Sequence, residues 1–99
     1  MARRPEIVCI CGSVRFMTQM RVANRELTFT GVIVVAPTEA DELPTPEQKA
    51  VLDSLHLRKI DVADGVLVVN PGGHIGESTR SEIAYARAAG KPITSTDPV

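Results

Sequence analysis

The chain has 99 residues, 43% of them apolar and 23% charged, with a formal net charge of −1 and a mean hydropathy of +0.04. These values describe one soluble globular domain over residues 1–99, with no length for a second, and the charge balance argues against a protein that coats long nucleic acid. Apolar runs such as Val66 to Val69 are far too short to cross a bilayer, and the start at Met1 leads into no apolar secretory stretch, so a cytoplasmic protein without membrane attachment is expected.

Only Phe16, Phe29 and Tyr85 are aromatic, which leaves the core to Val, Ile, Leu and Ala. Glu6 to Cys11 is a continuous apolar, β-branched run, the pattern of a strand covered on both faces. Cys9 and Cys11 share one face of that strand and read as small buried hydrophobes. They lie too close along one strand for a disulfide, and no further cysteine or histidine pair stands at a zinc spacing, so neither metal nor cofactor is expected. Phe16 to Thr30 reads as a helix with Phe16, Met20, Ala23 and Leu27 on one side and Gly31 as its stop. Val32 to Ala36 is the second strand. Thr38 to Pro46 is acidic and flanked by prolines, a solvated loop or a lid.

Pro46 to Ala63 is the second helix, with Thr45 as N-cap and Pro46 in the first position. Its apolar side is read as Val51, Leu52, Leu55 and Ile60, which places His56, Arg58 and Lys59 on an exposed polar face. Asp64 closes the turn into the third strand, Val66 to Asn70. Thr79 to Ala89 is the third helix, buried through either Ile83, Ala86 and Ala89 or Ile83, Ala84 and Arg87, and ended by Gly90. Pro92 to Thr94 is the last strand. The order β-α-β-α-β-α-β with right-handed crossovers predicts an α/β fold, a small Rossmann-like three-layer sandwich on a four- to five-stranded parallel sheet.

In such a sheet ligands collect at the carboxyl ends of the strands, near the point where strand order reverses. Two loops there matter. The first, Gly12-Ser13-Val14-Arg15, offers a glycine for close approach, a hydroxyl and a guanidinium suited to phosphate; it is neither a dinucleotide fingerprint nor a P-loop. The alternative is that Ser13 only caps the helix and Arg15 is solvated. The second runs from the strand end at Asn70 through Pro71 to Ser78 and includes Gly72, Gly73, His74 and Gly76. With Ser78, Thr79 and Ser81 at the helix entry, it is a candidate anion cradle. Glu82 has two readings: the partner of Thr79 in a capping box, or a carboxylate aimed into the cleft as nucleophile or base.

The segment Cys11 to Arg15 resembles the signature of the 2′-deoxynucleoside 5′-phosphate N-hydrolases, within the nucleoside 2-deoxyribosyltransferase superfamily. Ala63 to Val69, the glycine loop, Ser81 to Ala86 and Gly90-Lys91-Pro92 resemble that superfamily's acidic residue, strand, loop, Glu-bearing helix and Gly-Lys-Pro. The resemblance covers residues 6 to 94 with a poorly matched middle. It implies cleavage of an N-glycosidic bond or deoxyribosyl transfer on a nucleoside or nucleotide, with Glu82 as nucleophile at the anomeric carbon. Gly12, Ser13 and Arg15 would hold a 5′-phosphate, with Asn70, Gly73, Gly76, Ser78 and Ser81 completing the substrate site. His56 stands where the family carries a catalytic aspartate, and Cys9 at its first-strand tyrosine; an imidazole can donate a proton or orient substrate. The chain is shorter than is usual for the family, so a homodimer or higher homo-oligomer is expected to complete the site. The departures at His56 and Cys9 keep a second reading open, a non-catalytic nucleotide-sensing module of the same fold. Residues 1 to 25 carry five basic side chains and one acidic, and residues 38 to 54 the reverse, an asymmetry suited to a small phosphorylated ligand.

Overall fold

The computed structural model describes residues 4–98; the Met1 to Arg3 start, read above for a secretory stretch, lies outside them. Four strands, β1 (Ile7–Gly12), β2 (Ile33–Val35), β3 (Gly65–Val69) and β4 (Ile93–Ser95), alternate with helices α1 (Met17–Phe29), α2 (Pro46–Val62) and α3 (Glu77–Ala88). All strand pairs are parallel, in the order β2-β1-β3-β4. The Rossmann-like sandwich predicted from the sequence is therefore present, with four strands. Its order reverses between β1 and β3, whose register runs from Val8 opposite Gly65 to Gly12 opposite Val69.

Strand alternation divides the core between two layers. Cys9 and Cys11 on β1 and Val66 and Val68 on β3 face α2 and α3, where they pack with Ile60, Ala63, Ile83 and Ala86. Ile10 and Val69 face the other way, onto Met20 of α1, with Phe16, Ala23 and Leu67 around them. Gly12 is held to glycine by this second layer. A Cβ there would stand 2.9 Å from the Val69 carbonyl oxygen and 3.0 Å from the Met20 sulfur, and the carbonyl belongs to a paired strand that cannot move aside cheaply.

The ends of the helices follow their local chemistry. Thr45 and Gln48 form a capping box on α2, with Pro46 in its first turn. Gly31 and Gly90 take φ of +92° and +74° just past α1 and α3, a region most side chains avoid. Lys91 Nζ donates to the carbonyls of Asp61 and Ala63 at 3.1 and 2.8 Å, so it closes the C-terminal end of α2.

Two expectations are corrected. Val51 and Leu55 are 56% and 50% exposed, whereas His56 is buried with Ile60; α2 docks through a face rotated from the one its aliphatic residues suggested. The third helix begins at Glu77 with Gly76 as N-cap, so Thr79 is a buried residue inside the helix and not its cap. Its inner face is Thr79, Ile83 and Ala86, the first of the two alternatives, without Ala89, which is exposed.

Asp64 stands in the turn before β3, but its side chain bonds across to Arg4 and the start of β1 and not within the turn. Its carboxylate accepts both Arg4 guanidinium nitrogens, at 2.6 and 2.7 Å, and the Ile7 amide at 2.8 Å. Arg4, then the Ile7 amide, hold the carboxyl well below the usual carboxylate range. A carboxyl whose pKa is lowered by folding contributes stability above its unfolded pKa of about 4 and loses it as pH falls toward the folded value. Urea denaturation is therefore expected to show Asp64→Asn less stable than wild type at pH 7, with the difference shrinking steadily below about pH 4. A constant difference down to strongly acidic pH would assign the loss to packing instead.

Candidate active site in the crevice between the first and third strands

A cleft of about 630 Å³ opens at the carboxyl ends of β1 and β3. The loop after β1 contributes Gly12 and Ser13, and the start of α3 contributes Gly76, Ser78, Thr79 and, on the next turn, Glu82. The opposite wall is α2, through Lys49, Leu52, Asp53, His56 and Lys59. Pro37, Thr38, Leu43 and Pro44 form its roof, so the acidic segment read as loop or lid lies against the cleft. Lys59 anchors the near end of that segment, donating to the Ala36 carbonyl at 2.7 Å, and Arg21 pairs with Glu39 beyond it.

The floor holds an unusual set of polar groups. His56 Nε2 lies 3.6 Å from Glu82 Oε1, 3.3 Å from Cys11 Sγ and 3.8 Å from Cys9 Sγ. The side chains of His56 and Glu82 are only 7% and 17% exposed, so their charges interact through protein more than through water. Burial lifts the Glu82 carboxyl above the usual carboxylate range, against the opposing pull of His56. Burial also disfavours a charged His56, but the Cys9 sulfur and the Glu82 carboxylate outweigh it and raise its pKa. The two thiols act as one unit. The neighbouring Cys11 lowers Cys9, helped by His56, while Cys9 and burial push Cys11 up.

This geometry removes the capping-box reading of Glu82. It sits in the second turn of α3, and the helix has no side-chain N-cap hydrogen bond, so the carboxylate does not form a capping box. It faces the cleft. His56 is likewise not on a solvated polar face, and the two cysteines are buried in the core as expected while also lying against His56.

Not every predicted substrate residue meets in the cleft. Gly12, Ser13, Gly76 and Ser78 line it; Arg15, Asn70, Gly73 and Ser81 do not. Ser13 also caps the 3-10 turn of Val14 to Phe16, accepting from the Arg15 amide. Arg15 is exposed at the rim, over the Phe16 ring and 3.5 Å from His74 Nε2. Ser81 is exposed on α3. Gly73, at a φ of +81°, serves the turn, where a Cβ would meet the Pro98 carbonyl at 3.3 Å.

Asn70 is fully buried and joins the end of β3 to the C-terminal segment. Its Nδ2 donates to the Asp97 carbonyl, its Oδ1 accepts from the Asp97 amide and the Thr96 hydroxyl, and its own amide donates to Thr96 Oγ1, all at 3.0 to 3.2 Å. Sequence reading named His56 on the wall of α2 but missed Lys49, Asp53 and Lys59 beside it, although a signal was there: the four recur at helical spacing.

Solved structures that share this fold include the following two. One is a 2-deoxyribosyltransferase from the psychrotolerant bacterium Bacillus psychrosaccharolyticus, with a TM-score of 0.71 at 16% identity over 94% of this chain and 76% of that one. The other is a conserved protein from Enterococcus faecalis V583, with a TM-score of 0.62 at 16% identity over 92% of this chain and 62% of that one. No family model and no curated protein matches the sequence. The chain thus has the three-layer α/β fold of a 2-deoxyribosyltransferase. No helix among the described residues is long and apolar enough to cross a membrane.

If Asn70 is a latch, Asn70→Ala should speed hydrogen exchange at the Asp97 amide at least about tenfold and cost about 1–3 kcal/mol of stability, because buried partners lose their bonds. Unchanged exchange at Asp97 would return Asn70 to the list of substrate contacts.

Proposed function

We propose that the chain works as one deoxyribosyltransferase-like domain, a cytoplasmic enzyme that cleaves the N-glycosidic bond of a nucleoside or nucleotide. The observation that carries this reading is the Glu82 and His56 pair, 3.6 Å apart at the floor of the cleft where the strand order reverses. The transition state of N-glycoside cleavage has oxocarbenium character, which a nearby carboxylate stabilises or traps. Glu82 attacks the anomeric carbon as the bond to the base breaks, and the departing base takes a proton from protonated His56. The glycosyl ester is then opened at the same carbon by water, whose proton returns to His56, or by a second base in transfer.

Substrate placement follows from the loops. The free amides at the start of α3 and the hydroxyls of Ser13 and Ser78 suit a 5′-phosphate or 5′-hydroxyl. Arg15 at the rim is then a steering charge that meets a phosphorylated ligand outside the cleft. The apolar Val51 and Leu55 that α2 turns outward, together with Leu43 at 94% exposed, suit a second copy of the chain beside the cleft mouth. Light scattering at micromolar concentration is expected to give a homodimer or larger oligomer; a monomer would make the site complete in one chain.

The decisive measurement is release of free base from a panel of nucleosides and nucleoside monophosphates, followed by chromatography. Glu82→Gln is expected to reduce it at least about 10³-fold and His56→Gln by about 10²–10⁴-fold, typical of losing a nucleophile or a general acid. Circular dichroism on each variant separates chemistry from misfolding. Thermal stabilisation by a nucleotide with no base release from wild type would replace the enzyme by the sensing module.

A further inference from the structure

We propose that Cys9, Cys11 and His56 form a binding site for a borderline-soft divalent cation, zinc in the first place, with its fourth position open toward Glu82. The inference goes beyond the glycosidase reading and does not depend on it. The two sulfurs and a ring nitrogen of His56 all lie within 4.8 Å of one another. Two separations, 3.3 Å from Cys11 Sγ and 3.8 Å from Cys9 Sγ to His56 Nε2, can be compared with the edges of a zinc tetrahedron. Zinc bonds of about 2.3 Å to sulfur and about 2.0–2.1 Å to nitrogen, at the tetrahedral angle, place the ligand atoms about 3.5 Å apart. The observed pair brackets that value, and the remaining edge, between the two sulfurs, is no longer than 4.8 Å, so the three donors are already gathered around one point.

The fold explains why three such groups converge. Alternation along β1 brings Cys9 and Cys11 to the same face, and α2 packs over that face with His56 Nε2 against both sulfurs. All three residues are buried, so little side-chain freedom is lost on binding. The donor set selects the metal. Two thiolates and an imidazole favour zinc and its neighbours over magnesium or calcium, which require oxygen. Loading requires both cysteines as thiolates and His56 Nε2 without its proton, so every proton these three groups carry there leaves to solvent, and the two thiolates then balance the double positive charge.

Three protein ligands with a fourth corner on a cleft is the pattern of an open zinc site rather than a closed structural one. Glu82 Oε1, 3.6 Å from His56 Nε2, stands at the distance of a neighbouring corner. A bound cation would draw that carboxylate away from a sugar, so the loaded chain and a glycosyl-accepting chain compete for Glu82. This is a site of control over the cleft as much as a site of binding.

The full chain, purified under reductant and freed of metal by a chelator, is titrated with cobalt(II) as a spectroscopic stand-in for zinc. Expected are a thiolate-to-cobalt charge-transfer absorption, tetrahedral visible bands, one metal per chain by native mass spectrometry, and displacement by zinc. Cys9→Ser and Cys11→Ser should each weaken binding by more than about 100-fold, beyond the 10–100-fold cost of an outer-shell change, and reduce the charge-transfer intensity. Glu82→Gln should keep that absorption while losing base release, which separates this site from the glycosidase reading. Absence of the absorption from wild-type protein overturns the proposal without recourse to any variant. So does its loss in Glu82→Gln, or retention of wild-type affinity in either folded cysteine variant.

Discussion

The parallel pairing of β1 with β3 is the constraint on which the rest depends. It runs to the very ends of both strands, Gly12 against Val69, and so delivers the two loops that begin α1 and α3 side by side. The close approach is possible because Gly12 has no side chain: any Cβ would press on the Val69 carbonyl and the Met20 sulfur. A register shift of one residue would exchange the two layers, turning Cys9 and Cys11 toward α1 and Ile10 toward α2. The crevice, the orientation of the thiols and the packing of all three helices are consequences of one ladder.

On that ladder the protein places a buried polar cluster where an aliphatic contact would be cheaper. Burying His56 and Glu82 costs solvation of both, and the cost is offset because each charge finds the other and the sulfurs lie around them. Burial and the close neighbours shift the protonation of both groups from that in water. The surrounding structural polar groups behave differently: Asp64 with Arg4, Lys91 with the end of α2, and Asn70 with Thr96 and Asp97 are each satisfied by the chain itself. Of the Gly90-Lys91-Pro92 motif, glycine and lysine both serve helix ends.

How far the sequence reading reached follows from the range of the forces involved. Strands were legible because continuous β-branched runs need only their own residues to be recognised, and Thr45-Pro46 with Gln48 marks a helix start through bonds three residues apart. The start of α3 was misplaced because Thr79 and Glu82 have the spacing of a capping box, yet the turn through Gly72 and Gly73, both at positive φ, returns the chain early enough for Gly76 to take the N-cap position. The buried face of α2 was misread for a related reason. Val51 and Leu55 look like core, but the surface they would need is already filled by the face that carries His56 and Ile60. Glu82 was legible as a candidate and His56 as a departure from a pattern; neither was legible as the other's neighbour.

The sequence by itself determined the alternation of strands and helices, the parallel sheet, and the two loops at which a ligand would be sought, since these rest on periodicity and on the conformations of glycine and proline. Tertiary structure decided what the site contains. His56 meets Cys9 and Cys11 across 47 and 45 positions of chain, and Asn70 is taken from the cleft by residues 26 and 27 positions away. Such contacts arise from the crossing of α2 over β1 and the return of the C-terminal segment onto β3, and local spacing carries no record of either.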